Sequence, residues 1–151
     1  MISAKDVAAL RKQTGAGIMD AKKALTEAEG DFDKAVAIVQ EKYASKALKK
    51  SDRETGEGLV FSYIHGGKLG VMVAIGCETD FVARNEEFQE LGKNIALHVA
   101  SLLSAGEPTL EEILASPYIK DPSMTVQELI TSKIATIGEN IKLTGFVKLA
   151  V

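Results

Sequence analysis

The spacing of apolar residues changes along this sequence, and the change divides it into two parts. In residues 1–50, apolar side chains recur every three or four positions, which places them on one face of a helix. The residues with this spacing are Val7, Leu10, Ile18, Ala21, Ala24, Leu25, Ala35, Val36 and Val39. Because Gly15, Gly17 and Gly30 separate three such runs, the sequence predicts three short helices in a compact bundle.

From residue 59 onward the pattern becomes that of strands and longer helices. Residues 59–65 and 68–75 are rich in β-branched and apolar residues, and Gly66-Gly67 between them predicts an antiparallel hairpin. The other predicted elements are helices over residues 82–103, 109–114 and 126–136, a loop over 116–123 and a final strand over 141–151. Together these elements predict an α+β fold, with a small antiparallel sheet packed with helices.

The sequence also predicts where the domains begin and end. Residues 51–58 combine charged side chains with two glycines, which is typical of a linker. We therefore expect a three-helix head over residues 1–50, a linker over 51–58 and an α+β core over 59–151.

The composition argues against several classes of function. A net charge of −3 and the absence of tryptophan do not fit a nucleic-acid surface, which is usually basic and often has stacking aromatic rings. No apolar run approaches the roughly 20 residues of a membrane-spanning helix, and the first residues lack the pattern of a signal peptide. The single Cys77 cannot form an internal disulfide, which fits a reducing compartment. From these features together we expect a cytoplasmic protein without a membrane or nucleic-acid partner.

The sequence indicates no catalytic, metal or cofactor site. Cys77, Asp80 and either His65 or His98 have the residue types of a nucleophile set, but no loop resembles an oxyanion hole. One cysteine and two scattered histidines lack the spacing of zinc ligands. The phosphate-loop pattern GxxxxGK[ST] is absent, so we expect the chain itself not to bind GTP.

The most distinctive stretch is Glu78-Thr79-Asp80-Phe81-Val82, which follows the second predicted strand. Loops held by a rigid scaffold often contain functional residues. The sequence leaves two possibilities open for the Phe81 ring, which either packs back into the core or points toward a partner.

Four blocks of the sequence resemble, in family order, bacterial elongation factor Ts. They are LRKQTGAGIMDAKKAL at 10–25, KKSDRETGEG at 49–58, CETDFVARNEEFQEL at 77–91 and IKDPSMTVQELITSKIATIGENI at 119–141. The pair TGAGxMD and TDFV is highly specific to that family. The resemblance implies a ubiquitin-associated-like three-helix head followed by an α+β core. It also implies a guanine-nucleotide exchange factor, without covalent chemistry or a cofactor, for the GTPase elongation factor Tu.

The resemblance implies roles for individual residues. The head would contact the nucleotide-binding domain of the GTPase through Arg11, Ile18 and Met19, with Asp20 nearby. The loop that would disturb the Mg²⁺ and phosphate region consists of Thr79, Asp80, Phe81 and Val82, and a further contact segment consists of Ile137 and Gly138. From the residues alone, Met19 would usually belong to the core and Arg11 to a solvated helix face. Asp80 could place a charge near the partner's Mg²⁺, or it could cap the helix predicted to begin near Val82.

The chain departs from the family pattern in two places. The terminal strand TGFVKLAV has one lysine where many family members carry two arginines. The family's long helical insertion is nearly absent, and only residues 104–117 fill the gap. The chain has one TDFV and one IGENI, and family members with a single copy resemble homodimers, so we expect a homodimer. The alternative function is a non-catalytic adaptor, in which the helical head binds a protein partner without altering its nucleotide affinity.

Overall fold

The structure is a computed structural model that describes residues 1–103 and 106–151. Within these residues the helices are α1 (Ala4–Thr14), α2 (Ile18–Glu27), α3 (Phe32–Lys50), α4 (Asp80–Ala83), α5 (Glu86–Leu103), α6 (Leu110–Ala115) and α7 (Val126–Ile137). The strands are β1 (Glu57–His65), β2 (Leu69–Cys77), β3 (Pro117–Tyr118), β4 (Asp121–Thr125) and β5 (Lys142–Ala150). The predicted α+β class and its small antiparallel sheet are confirmed. Of the predicted gap segment 104–117, residues 104 and 105 lie outside the described residues.

The chain divides into two compact units. The first unit comprises residues 1–52 and 131–138, and the second comprises residues 53–130 and 139–151. Whether the head, linker and core fold as separate domains stays a prediction. No helix in the part of the chain that the structure describes is long and apolar enough to cross a membrane.

The first unit is built around α1, α2 and α3. Its core consists of Leu10, Ala16, Ala21, Ala24, Leu25, Ala28, Ala35, Val39 and Tyr43. Ser3 and Asp6 form a reciprocal capping box that begins α1. Gly15 ends that helix at a φ of 73°, where its N–H donates to the carbonyl of Arg11. The glycines in the sequence therefore predicted the end of α1 and the start of α2 correctly.

The second unit is built on a three-stranded antiparallel sheet in the order β1–β2–β5. Side chains alternate between the two faces of β2, so Val71, Val73 and Ile75 are buried while Met72 remains exposed. Helix α5 covers the buried face through contacts with β1 and β2. The sheet thereby has one face in the core and one face open.

The long amphipathic helix predicted over residues 82–103 is confirmed over α5, but its predicted start at Val82 is wrong, because Val82 belongs to the separate short helix α4. The interruption lies at Asn85, whose side-chain oxygen accepts N–H bonds from Glu87 at 2.8 Å and Phe88 at 3.3 Å. An asparagine at this position satisfies the free amides of a new helix start, and therefore begins α5 independently of α4.

The loop predicted over residues 116–123 is also wrong. Strands β3 and β4 form a small antiparallel hairpin there. Tyr118 is buried and stacks on His98 with ring centroids 5.9 Å apart, while the N–H of Ile119 donates to His98 Nδ1 at 3.0 Å. These contacts with a distant part of the chain stabilise a hairpin that the polar local sequence does not indicate.

Candidate functional site

Glu78 and Thr79 connect the end of β2 to the short helix α4. Asp80, Phe81 and Val82 already belong to that helix, so most of the predicted loop is helical. Thr79 is the N-cap of α4, and its hydroxyl oxygen accepts the N–H of Val82 at 3.4 Å. Phe81 lies in the first turn of α4, with 77% of its surface exposed. The structure therefore places this ring in solvent rather than in the core.

Asp80 does not cap the helix, so the capping role considered for it is wrong. Its carboxylate instead pairs with Arg84, one turn further along, with Asp80 Oδ2 and Arg84 Nη2 2.8 Å apart. Since both side chains are at least half exposed, this ion pair contributes little to stability. The charge of Asp80 thus lies at the surface, beside Phe81.

A distant carboxylate, that of Glu139, holds the beginning of this loop. Its Oε1 accepts the backbone N–H groups of Glu78 at 3.1 Å and Thr79 at 3.0 Å. Its Oε2 accepts the hydroxyl proton of Thr79 at 2.7 Å. Three donors on two consecutive residues therefore converge on one side chain.

The residue after Glu139, Asn140, forms hydrogen bonds with Glu78 and Arg53. The carboxylate of Glu78 accepts the N–H of Asn140 at 2.8 Å and lies 3.5 Å from a guanidinium nitrogen of Arg53. The buried side chain of Asn140 donates to the carbonyl of Arg53 at 2.8 Å. Sequence reasoning missed Glu78 and Glu139 as supports of the loop, because a pairing across about sixty residues leaves no local pattern.

Cys77 lies directly before this loop but is not set up as a nucleophile. It is fully buried, and its thiol donates to the carbonyl of Thr79 at 3.3 Å. Burial, and after it the charge of Glu139, raises the pKa of the thiol, which favours the unreactive protonated form. The two histidines bond elsewhere, His98 with Ser116 and Ile119, and His65 with the hydroxyl of Tyr63.

In the first unit, the predicted contact residues lie around the start of α2. Ile18 and Met19 are exposed by 58% and 66%, so Met19 is not a core residue. Arg11 and Ile18 line one groove of about 400 Å³ between α1 and α2. The Arg11 Nε also donates to the carbonyl of Ala16 at 3.3 Å, which holds the side chain against the turn.

Asp20 fixes the start of α2 to α3. Its carboxylate accepts a hydrogen bond from Lys42 at 2.5 Å and lies 4.0 Å from the ammonium of Lys46. The hydrogen bond from Lys42 holds the pKa of Asp20 below its ordinary value. The position of the neighbouring Met19 is therefore set by a tertiary ion pair as well as by the helix.

Ile137 and Gly138 form the end of α7. Gly138 is exposed and has a φ of 91°, and its N–H donates to the carbonyl of Ile134 at 2.9 Å. A left-handed backbone of this kind favours glycine.

Among the described residues, no group of three or more histidine, cysteine, aspartate and glutamate side chains is arranged to hold a metal ion.

Comparison with known proteins places these features in a family. A family model described as Elongation factor TS matches residues 78–151. Three relatives, all named Elongation factor Ts, come from Nostoc sp., Alkaliphilus oremlandii and Thermosipho melanesiensis. Their identities to this chain are 49%, 41% and 42%, over 99%, 97% and 100% of its length.

The relatives differ in length. The chain spans 46% of the Nostoc relative, 88% of the Alkaliphilus relative and 99% of the Thermosipho relative. The predicted resemblance is thus confirmed over nearly the whole chain, and the chain belongs to the elongation factor Ts family of translation elongation factors.

Proposed function

We propose that this chain is a guanine-nucleotide exchange factor, which binds elongation factor Tu·GDP and promotes GDP release by disturbing its Mg²⁺ and phosphate site. The proposed site of action is the cytoplasm, and the activity needs no covalent step, cofactor, nucleic acid or membrane. The observation that supports it most is the exposed ring of Phe81, on the short helix α4, whose N-cap Thr79 is held by hydrogen bonds to Glu139.

The physical basis of exchange is thermodynamic linkage. A GTPase holds its nucleotide through backbone amides and Mg²⁺. A protein that binds the empty GTPase more tightly than the loaded one must weaken nucleotide binding by the same factor. A protein with equal affinity for both forms shifts nothing. The chain therefore needs at least one contact that forms only when the nucleotide site is disturbed.

Phe81 fits such a differential contact. Burial of an exposed phenylalanine side chain contributes about 1.5–3 kcal/mol. If the contact forms only with the empty GTPase, it changes relative affinity by about 10–150-fold. The ring is available for this contact because solvent, rather than its own subunit, surrounds it. Asp80 adds a negative charge at the same place.

The head supplies the remaining binding energy in this proposal. We assign it a ubiquitin-associated-like fold, on the basis of its three packed helices and the family resemblance, and a contact surface of Arg11, Ile18, Met19 and Asp20. Ile137 and Gly138 form the further contact segment. Exposed apolar side chains such as Ile18 and Met19 are the kind that a protein partner buries.

A second copy of the chain is the proposed partner for the open face of the sheet. Five large apolar residues are exposed on this face, Val60, Ile64, Met72, Val147 and Leu149. The strand register places Met72 directly between Ser62 and Val147, so these side chains form one surface. A contiguous apolar surface of this kind is typical of an interface, and a two-fold axis would pair it with itself.

The test of the proposed function is release of fluorescent GDP from purified elongation factor Tu, after addition of catalytic amounts of this chain and excess unlabelled GDP. An exchange factor accelerates release and turns over many GTPase molecules. An adaptor would bind the GTPase without changing the release rate, and this result would replace the exchange factor with the alternative function.

A further inference from the structure

We propose that Glu139 is a positioning residue for the segment Thr79–Val82, here called the exchange loop. Glu139 sets the direction of Phe81 through the hydroxyl of Thr79. This inference rests on the proposed exchange function. Glu139 does not itself touch the GTPase in this account, because its carboxylate is already occupied by three donors from Glu78 and Thr79.

The hydrogen bonds of Thr79 give the first step. A hydroxyl has one proton to donate and two lone pairs to accept with. Thr79 Oγ1 donates its proton to Glu139 Oε2 at 2.7 Å, which directs a lone pair to the N–H of Val82 at 3.4 Å. The carboxylate therefore fixes the orientation of the group that caps α4.

The exposure of Phe81 gives the second step. With 77% of its surface exposed, the ring receives little support from neighbouring side chains. Its direction consequently depends on the backbone of α4, a helix of four residues that begins at the Thr79 cap. A helix this short has few internal hydrogen bonds, so its cap and the anchored amide of Thr79 dominate its position.

The chemistry of the anchor makes it specific for a carboxylate. A glutamine at position 139 would keep the size of Glu139, but it would have one acceptor oxygen in place of two. It cannot accept both the two backbone N–H groups and the Thr79 hydroxyl proton in the same geometry. Bonds to an ionised acceptor are also stronger than bonds to a neutral one. We therefore expect Glu139→Gln to loosen the loop without opening a cavity.

The experiment measures nucleotide release over a range of exchange-factor concentrations, which separates the maximal release rate from the half-saturating concentration. We expect Glu139→Gln to lower the maximal rate about tenfold, the size expected for one charge-assisted hydrogen bond. The half-saturating concentration stays within about twofold, since the proposed head surface is intact. Glu111→Gln, an exposed glutamate on α6, is the matched control and leaves both values unchanged.

A double variant tests whether Glu139 acts through Phe81. If it does, Phe81→Ala combined with Glu139→Gln releases nucleotide no more slowly than Phe81→Ala alone. If Glu139 merely stabilises the fold, the two effects multiply, and the positioning role is overturned. An unchanged maximal rate in Glu139→Gln, beside a reduced rate in Phe81→Ala, also overturns it while leaving the proposed function intact.

Amide hydrogen exchange gives a readout that does not depend on activity. In Glu139→Gln the amides of Glu78, Thr79 and Val82 exchange faster, while the protection of Val73 in β2 is unchanged. Equal protection of these amides in the wild type and in Glu139→Gln would overturn the claim that Glu139 holds the loop in place. If the wild-type chain fails to accelerate release, the proposed function fails, and the loop amides still decide whether Glu139 positions the loop.

Discussion

The ring of Phe61 lies against the backbone of Gly92 so closely that a Cβ atom added at Gly92 would come 2.1 Å from the ring. This contact joins β1 to α5 at the centre of the second unit. Glycine is ordinarily about 1 kcal/mol less favourable than alanine in a helix, so its presence here reflects the space that the aromatic ring needs.

Gly92→Ala is expected to lower the free energy of unfolding by about 1–3 kcal/mol, because the clash with a buried ring outweighs the gain in helix propensity. Urea unfolding followed by circular dichroism measures the change. Gly56→Ala is the control, since no atom lies within 4 Å of a Cβ there and no loss is expected. A stabilised Gly92→Ala variant would contradict the packing described.

The stability of the second unit should depend on the ionisation of His98. Its Nδ1 accepts the N–H of Ile119, so its Nε2 carries the proton and donates to Ser116 at 2.7 Å. Burial lowers the pKa of His98. Ionisation of the ring adds a second proton, at Nδ1. The unfolded chain therefore binds that second proton at a higher pH than the folded chain does.

The sign of the pH effect follows from that shift. The free energy of unfolding is expected to fall as pH is lowered from about 6.5, the ordinary histidine pKa, toward the lower pKa of the folded state. Urea unfolding at several pH values measures the slope. His98→Gln should flatten it, whereas equal slopes in the wild type and His98→Gln would refute the assignment.

Met72 lies at the centre of the open sheet face, and its replacement tests the proposed homodimer. A lysine there would place an unpaired charge in the apolar contact, and the monomer–dimer dissociation constant should rise at least tenfold, or about 1.4 kcal/mol. Sedimentation equilibrium measures the association. Met19→Lys, a second exposed methionine outside this face, should leave the association unchanged. A wild-type chain that is monomeric at all concentrations would refute the dimer.

Much of this fold was predictable because its signals are local. Glycine positions and apolar spacing predicted the three helices of the first unit, and Gly66-Gly67 predicted the hairpin of β1 and β2. Prediction failed where a distant residue decides the structure, as His98 does for the β3–β4 hairpin. It also failed at Asn85, whose capping side chain interrupts an otherwise continuous helical pattern.

At the candidate site, too, the sequence predicted what local signals determine and missed what distant contacts determine. The sequence singled out Phe81 and its neighbours, because they follow a strand and match a family motif. It left open whether the ring is exposed, since a large apolar side chain at a strand end is compatible with either location. It missed Glu139 as the anchor, because the residue is 60 positions from Thr79 and only the folded chain brings the two together.

Phe81→Ala provides the most direct test of the account. Because the ring is 77% exposed, the variant should fold with a free energy of unfolding within about 0.5 kcal/mol of the wild type. Release of fluorescent GDP from elongation factor Tu should be slowed about 10–150-fold at saturation, the range expected from the lost burial of one phenylalanine. Nucleotide release by the folded variant at the wild-type rate would contradict the claim that this ring drives exchange.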